Sequence, residues 1–255
     1  SPENLEEFIY LSQLTQALGL TNAIHAHRRN KPYTMGSLYW QIDDVWPTVS
    51  WSSVDYFGNW KAAHYGVKKA FAPVLISPDV KDSILTITVV NDKLKELTGT
   101  LFLNLFTLDG LRVFSIDSLV NIKANSALSV YTESTGELLC GQNKNNVYLS
   151  TYLETGDSTL TENTFYFSDP KYLRLKPPKF STSIKQNQNS WIVSLTASSL
   201  AKDVYLSFDT VMGKWSDNYF DLQPGTEKTV IFTPEINLKT LNPKLNIVSL
   251  ADIIE

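Results

Sequence analysis

Apolar positions change their period along this chain, and the changes divide it into three stretches. In the first, Leu5, Phe8, Ile9, Leu11, Leu14 and Leu18 recur at helical spacing and make one apolar face. Ser1 as N-cap, Pro2 in the first turn and acidic residues behind them suit a helix start. Gly19 is a possible stop, but Ile24 and the basic pair Arg28 and Arg29 extend the helix to a terminus where positive charge is favourable. A short loop at residues 30–32 then leads into an apolar strand over 34–42. The segment 56–71 follows, helical in its second half. Helix, strand, helix fits the last units of an α/β barrel, and equally any small α/β fragment.

After Phe71 the pattern becomes one of alternation. Ala72 and Pro73 end the helix, and residues 77–79 read as a turn cluster. Runs at 84–90, 99–106, 113–116, 146–153 and 164–167 predict an antiparallel sandwich of roughly seven strands. Residues 176–179, with two prolines, read as a stiff linker. A second β segment has runs at 180–184, 191–195, 204–208, 229–232 and 245–250. Pro224 and Gly225 suit the centre of a type II turn. This smaller sandwich is near the size at which a lone domain becomes marginal, so docking on its neighbours is expected.

Composition adds exclusions. The 255 residues suffice for one large domain or two small ones with a fragment. A net charge of -4 without basic clusters argues against nucleic acid. The single cysteine, Cys140, rules out an internal disulfide framework and a cysteine-based metal site. No apolar run approaches the roughly 20 residues that span a bilayer.

The chemistry concentrates in residues 36–65, where Trp40, Trp46, Trp51 and Trp60 lie among Asp43, Asp44 and Asp55. Indole faces stack on the C–H face of a pyranose, and carboxylates take its hydroxyls, so this mixture suits a sugar cleft. On the residues alone, Trp40 fits a packed core as well. Asp43 and Asp44 are adjacent and point to opposite sides of an extended chain, so they do not form an acid/base pair with each other. Loop capping is the ordinary role for such residues. Trp60, Tyr65 and His64 read as packing residues.

The stretch from Gly36 to Pro47, continuing through Trp51, Asp55, Trp60, Lys61, His64 and Tyr65, resembles the end of the catalytic barrel in family 2 glycoside hydrolases, above all their β-mannosidases. Residues 216–220 resemble a recurrent segment in the last immunoglobulin-like domain of that group. The resemblance implies a C-terminal remnant of a (β/α)8 barrel in residues 1–73. Two immunoglobulin-like β-sandwiches follow, in 74–176 and 177–255. It makes Trp40 the sugar platform, with a cis Trp40–Gln41 peptide, and places Asp43, Asp44, Trp46 and Trp51 beside it as substrate-binding residues. Asp43 is often Asn in the family, which weakens the need for a charge there.

The same resemblance implies that no catalytic residue is present. Retaining glycosidases use two carboxyl groups about 5–5.5 Å apart, and the family's two glutamates belong to segments upstream of Gly36. Glu3, Glu6 and Glu7 instead suit the first turns of a helix. His25 and His27 are two apart and face different ways, so they make no metal site. No cofactor is expected.

The implied function is that of a fragment of a retaining, exo-acting β-mannosidase, inactive alone. Its partners would be a β-mannoside or manno-oligosaccharide and N-terminal domains in cis. An exported parent (periplasmic, extracellular or lysosomal) is the expectation, although the fragment itself names no compartment. Two alternatives stand beside it. One is a different sugar within the family. The other is a carbohydrate-binding or structural sandwich without hydrolytic activity, for which Trp215 and Tyr219 would be the exposed stacking residues and Trp191 a core residue.

Overall fold

The structure, a computed structural model, describes residues 2–187, 189–209, 211–235 and 244–254. Helix α1 (Leu5–Arg29) runs through Gly19 to the basic last turn, as the charge pattern predicts. The Ser1 cap falls outside the described residues. Asn4 caps the helix instead, its Oδ1 accepting the Glu7 N–H at 2.9 Å, while the Glu7 carboxylate accepts the Glu3 N–H at 2.7 Å. The expected apolar face is largely open to solvent: Leu5, Phe8, Ile9 and Leu18 are exposed, and Tyr10 and Ile24 are its buried apolar positions.

The strand expected over 34–42 does not form. Leu38 is fully exposed, and Tyr33, Met35 and Ile42 are exposed too. An apolar run makes a strand only where another backbone edge takes its N–H and C=O groups, and the described residues offer such an edge only at 41–43. Helix α2 (Ala62–Ala70) lies in the predicted helical half of 56–71.

Two compact units follow from the contacts. One holds residues 21–38 and 68–174. Its seven strands are β1 (Val74–Lys81), β2 (Ile84–Asn91), β3 (Leu97–Thr107), β4 (Arg112–Ile122), β5 (Ser126–Ser134), β6 (Val147–Thr155) and β7 (Ser158–Tyr166), with a short helix α3 (Thr135–Leu138) after β5. They pair antiparallel as β1-β2-β5 and β4-β3-β6-β7. Ile76, Leu85, Ile87, Leu101, Ile122, Leu149 and Leu153 fill the space between the sheets. The turn expected at 77–79 is instead part of β1. This is an edge strand, where Pro78 deprives no inner ladder of a donor. β5 is absent from the sequence reading because its residues are mostly polar or small.

Basic residues of α1 anchor to this sandwich. Buried Arg28 donates to the carbonyls of Ala70 and Ala72 and to Asp92 at 2.9 Å, satisfying the end of α2. Ser77 Oγ accepts from Arg29 at 2.8 Å and lies 3.1 Å from His25 Nδ1. Burial, then Arg29 and Arg28, push His25 down to about 4. Arg29 is itself paired with Asp79 at 3.0 Å.

A neutral, partly buried His25 therefore stabilises this unit fully above the unfolded value of about 6.5, and the contribution is lost as pH falls from there toward 4. By pH 5 the loss amounts to about 2 kcal/mol. Urea unfolding at pH 7.5 and pH 5 should show a smaller acid destabilisation for His25→Asn than for the natural chain. Equal pH dependence in both would refute this.

The other unit holds residues up to Leu20, Tyr39–Val67 and Leu175 onward. Its strands are β8 (Phe180–Asn187), β9 (Ser190–Ala197), β10 (Ala201–Phe208), β11 (Gly213–Trp215), β12 (Phe220–Leu222), β13 (Lys228–Pro234) and β14 (Leu245–Val248). They form sheets β12-β10-β14 and β11-β13-β9-β8. β9 alternates buried and partly buried residues along its whole length, as its sequence predicts. β14 is shorter than the run expected to reach residue 250, because Leu250 opens a 3-10 turn capped by Ser249 and Asp252. Gly225, at a φ of 70°, and the 3.2 Å bond from Thr226 N–H to Gln223 O make the expected turn.

The aromatic core corrects the idea of exposed stacking residues. Trp215 is buried against Phe208 and Phe232, and Tyr219 packs on Tyr10, Tyr65 and Tyr205. Neither forms part of an exposed aromatic row. Asn218, also buried, accepts the Leu206 N–H at 2.8 Å and donates to the Leu206 carbonyl at 2.9 Å. It satisfies two backbone groups of β10 where no strand residue does. The sandwich is docked within its unit through Tyr10 Oη, which donates to the Asp203 carbonyl at 2.6 Å, and through Tyr65, part of its core.

Candidate functional site

Residues 39–65 are built from short segments tied side by side. Asp43 bridges Val54 in parallel, and Val54 bridges Trp60 antiparallel. The N–H groups of Ser53 and Val54 donate to the carbonyls of Gln41 (3.1 Å) and Ile42 (2.7 Å), and Lys61 N–H donates to Ser53 O at 2.9 Å. The peptide between Trp40 and Gln41 is cis. Trp40 itself is 75% exposed.

The two aspartates do face opposite ways. Asp43 is exposed, whereas Asp44 is buried. The Asp44 carboxylate accepts from Ser50 Oγ at 2.6 Å and Ser52 Oγ at 2.5 Å, with Lys61 Nζ at 3.5 Å. The hydroxyls of Ser50 and Ser52, aided by Lys61 and opposed by burial, hold its pKa below the usual carboxylate range. Asp44 thus closes the loop that carries Trp46 and runs up to Trp51, and both tryptophans are exposed. Gln16 of α1 donates to the Trp51 carbonyl at 2.6 Å.

Asp55 is occupied locally: Asn59 donates to it through its backbone and its side chain, at 2.8 and 2.9 Å, around Gly58 at a φ of 86°. Trp60 packs edge-on against Tyr65 at 5.4 Å and lies 4.3 Å from His64, as expected of packing residues. Glu7 is engaged at the start of α1. Among the described residues no cluster of three or more His, Cys, Asp or Glu could hold a metal ion. No described helix is long and apolar enough to cross a membrane.

The arrangement is therefore a scaffold of buried serines, one lysine and one aspartate, presenting three tryptophans and Asp43 to solvent. Comparison with known proteins shows what the chain as a whole is similar to. The mannosidase Ig/CBM-like domain family matches residues 83–172, and the mannosidase Ig-fold domain family matches residues 175–253. The β-mannosidase of Capra hircus is 30% identical over 99% of this chain and 31% of its own length, and that of Bos taurus matches to the same extent. The crystal structure of β-D-mannosidase from Dictyoglomus thermophilum superposes with a TM-score of 0.86 at 29% identity, over the whole chain and 31% of that protein. Along its whole length the chain is similar to a C-terminal part of family 2 β-mannosidases.

It spans about a third of the length of the β-mannosidases it matches. An exo-chitosanase from Amycolatopsis orientalis shares the fold, with a TM-score of 0.77 at 19% identity. Both sandwiches match immunoglobulin-like domain families. The scaffold role of Ser50, Ser52 and Ser53 escaped the sequence reading, and Lys61 entered it only as part of the resemblance. Small hydroxyl residues carry little signal in a sequence, and only the hydrogen bonds to Asp44 and Ile42, with the burial of Ser52 and Ser53, mark them.

Proposed function

We propose that the chain is the C-terminal portion of a retaining, exo-acting β-mannosidase that hydrolyses terminal β-D-mannosides. Residues 1–73 would then be the end of its (β/α)8 barrel. The observation that carries the reading is Trp40, exposed on a hydrogen-bonded scaffold in a chain related along its whole length to β-mannosidases. In this reading Trp40 is a wall of the sugar pocket, Trp46 and Trp51 line its approach, and Asp43 is the carboxylate left to meet a hydroxyl. Asp44 shapes the loop from beneath.

The apolar residues that α1 leaves open, Leu5, Phe8, Ile9 and Leu18, support the same reading. Clustered apolar exposure is unusual on a finished surface, and the remaining barrel would cover it. The carboxyl pair that double displacement requires would come from that remaining part, with the nucleophile forming a glycosyl-enzyme and the acid/base protonating the leaving oxygen.

The test is release of nitrophenol from an aryl β-mannoside by this chain and by the full-length protein. Activity is expected only in the full-length protein. Turnover by this chain alone would overturn the assignment of the catalytic carboxylates. Turnover of an aryl β-galactoside or β-glucuronide but not the mannoside by the longer protein would overturn the sugar.

A further inference from the structure

We propose that Ser53 is a positioning residue for Trp40 and that His64 holds Ser53 in that role, an inference resting on the sugar-facing reading of Trp40 above. Ser53 is fully buried. Its hydroxyl has three neighbours: the Ile42 carbonyl at 3.1 Å, Tyr39 Oη at 2.9 Å and His64 Nδ1 at 3.1 Å. A serine hydroxyl offers one proton and two lone pairs, and a carbonyl oxygen only accepts. The proton therefore goes to Ile42. Tyr39 Oη and His64 Nδ1 must then both donate to Ser53 Oγ, which places a proton on His64 Nδ1.

With that assignment every hydrogen-bonding capacity of the hydroxyl is used. Together with the bond from Ser53 N–H to the Gln41 carbonyl, one residue grips positions 39, 41 and 42, on both sides of Trp40. The indole is 75% exposed, so its placement depends on the backbone that carries it. Ser53 brackets that backbone. His64 is itself seated on α2 with its ring 4.3 Å from that of Trp60.

The experiment measures kcat and KM on an aryl β-mannoside for Ser53→Ala, His64→Leu, His64→Asn and Trp40→Ala in the full-length enzyme. The double variant of Ser53→Ala with Trp40→Ala completes a cycle. Loss of the clamp should lower kcat/KM roughly ten- to hundredfold in Ser53→Ala and His64→Leu, as small misplacements of binding groups do. His64→Asn, whose amide nitrogen can donate from near the Nδ1 position, should stay close to the natural enzyme. In the Trp40→Ala background Ser53→Ala should cost less than about threefold, because the two residues act as one.

A full Ser53→Ala effect in that background, or none in the natural one, would overturn the proposal while leaving the sugar-facing reading intact. A harmless Trp40→Ala would overturn that reading and the clamp with it. Should Ser53→Ala fail to fold, Tyr39→Phe removes one donor while keeping the ring. A several-fold loss that vanishes without Trp40 supports the clamp, and a loss indifferent to Trp40 refutes it.

Discussion

If the proposed function holds, Trp40→Ala in the full-length protein should lower kcat/KM on an aryl β-mannoside about a hundredfold while leaving the thermal midpoint nearly unchanged. The two halves of this expectation have one cause. Trp40 is 75% exposed, so its removal opens no cavity in the fold, and surface substitutions usually move stability by no more than about 0.5 kcal/mol. Covering an indole face with a sugar removes on the order of 100 Å² of apolar surface from water, worth about 2.5 kcal/mol. That corresponds to just under two powers of ten in rate if the contact is made in the transition state.

Trp40→Phe keeps a smaller face and should fall between. A loss in KM alone would mean that Trp40 binds substrate and transition state equally. A change under threefold in both constants would remove Trp40 from the pocket.

The second large effect concerns stability. Lys202 is buried at the start of β10, with Asp203 Oδ2 at 2.9 Å and Asp221 Oδ1 at 3.7 Å. Burial opposes its charge, yet the two carboxylates hold it up to about 12. The Asp203 N–H also donates to Asp221 at 2.9 Å, across a bulge where Asp203 takes a φ of 55°. Lys202→Met leaves two largely buried carboxylates without their cation. Breaking a buried pair in this way costs about 3–5 kcal/mol, more than the pair itself contributes over apolar residues.

The unfolding free energy of Lys202→Met should fall by that amount at pH 7, read as a lower urea midpoint at constant slope. Adding Asp221→Asn should restore part of the loss, since one uncompensated charge is then gone. A loss below about 1 kcal/mol would show that water reaches the carboxylates and screens them.

Local patterning reached some of these elements and not others. β9 was legible because every second residue is apolar and the strand lies with one face on a core. Continuation of α1 past Gly19 was legible from charge alone, since three basic residues occupy its last turn. β5 was not, because a strand of small and polar residues is defined by its partner β2 and not by its own pattern. Residues 34–42 show the converse: an apolar run forms no strand where, among the described residues, a neighbouring edge takes its backbone only at its very end. Trp215 and Tyr219 sit in a segment that reads as a loop, yet their rings complete the core of the C-terminal sandwich.

For the candidate site the division is just as physical. Sequence by itself determined the aromatic and acidic inventory of residues 36–65, its likeness to family 2 glycoside hydrolases, and the opposite facing of Asp43 and Asp44. Adjacency on an extended chain leaves those two side chains no other choice. Only the tertiary structure decided which aspartate is buried. Ser50 and Ser52, from the far end of the loop, and Lys61, just before α2, meet around Asp44 once the loop has closed. It alone brought Ser53, Tyr39 and His64 together, because a serine's value as a clamp lies in which three groups surround its one proton and two lone pairs, and no local spacing records that.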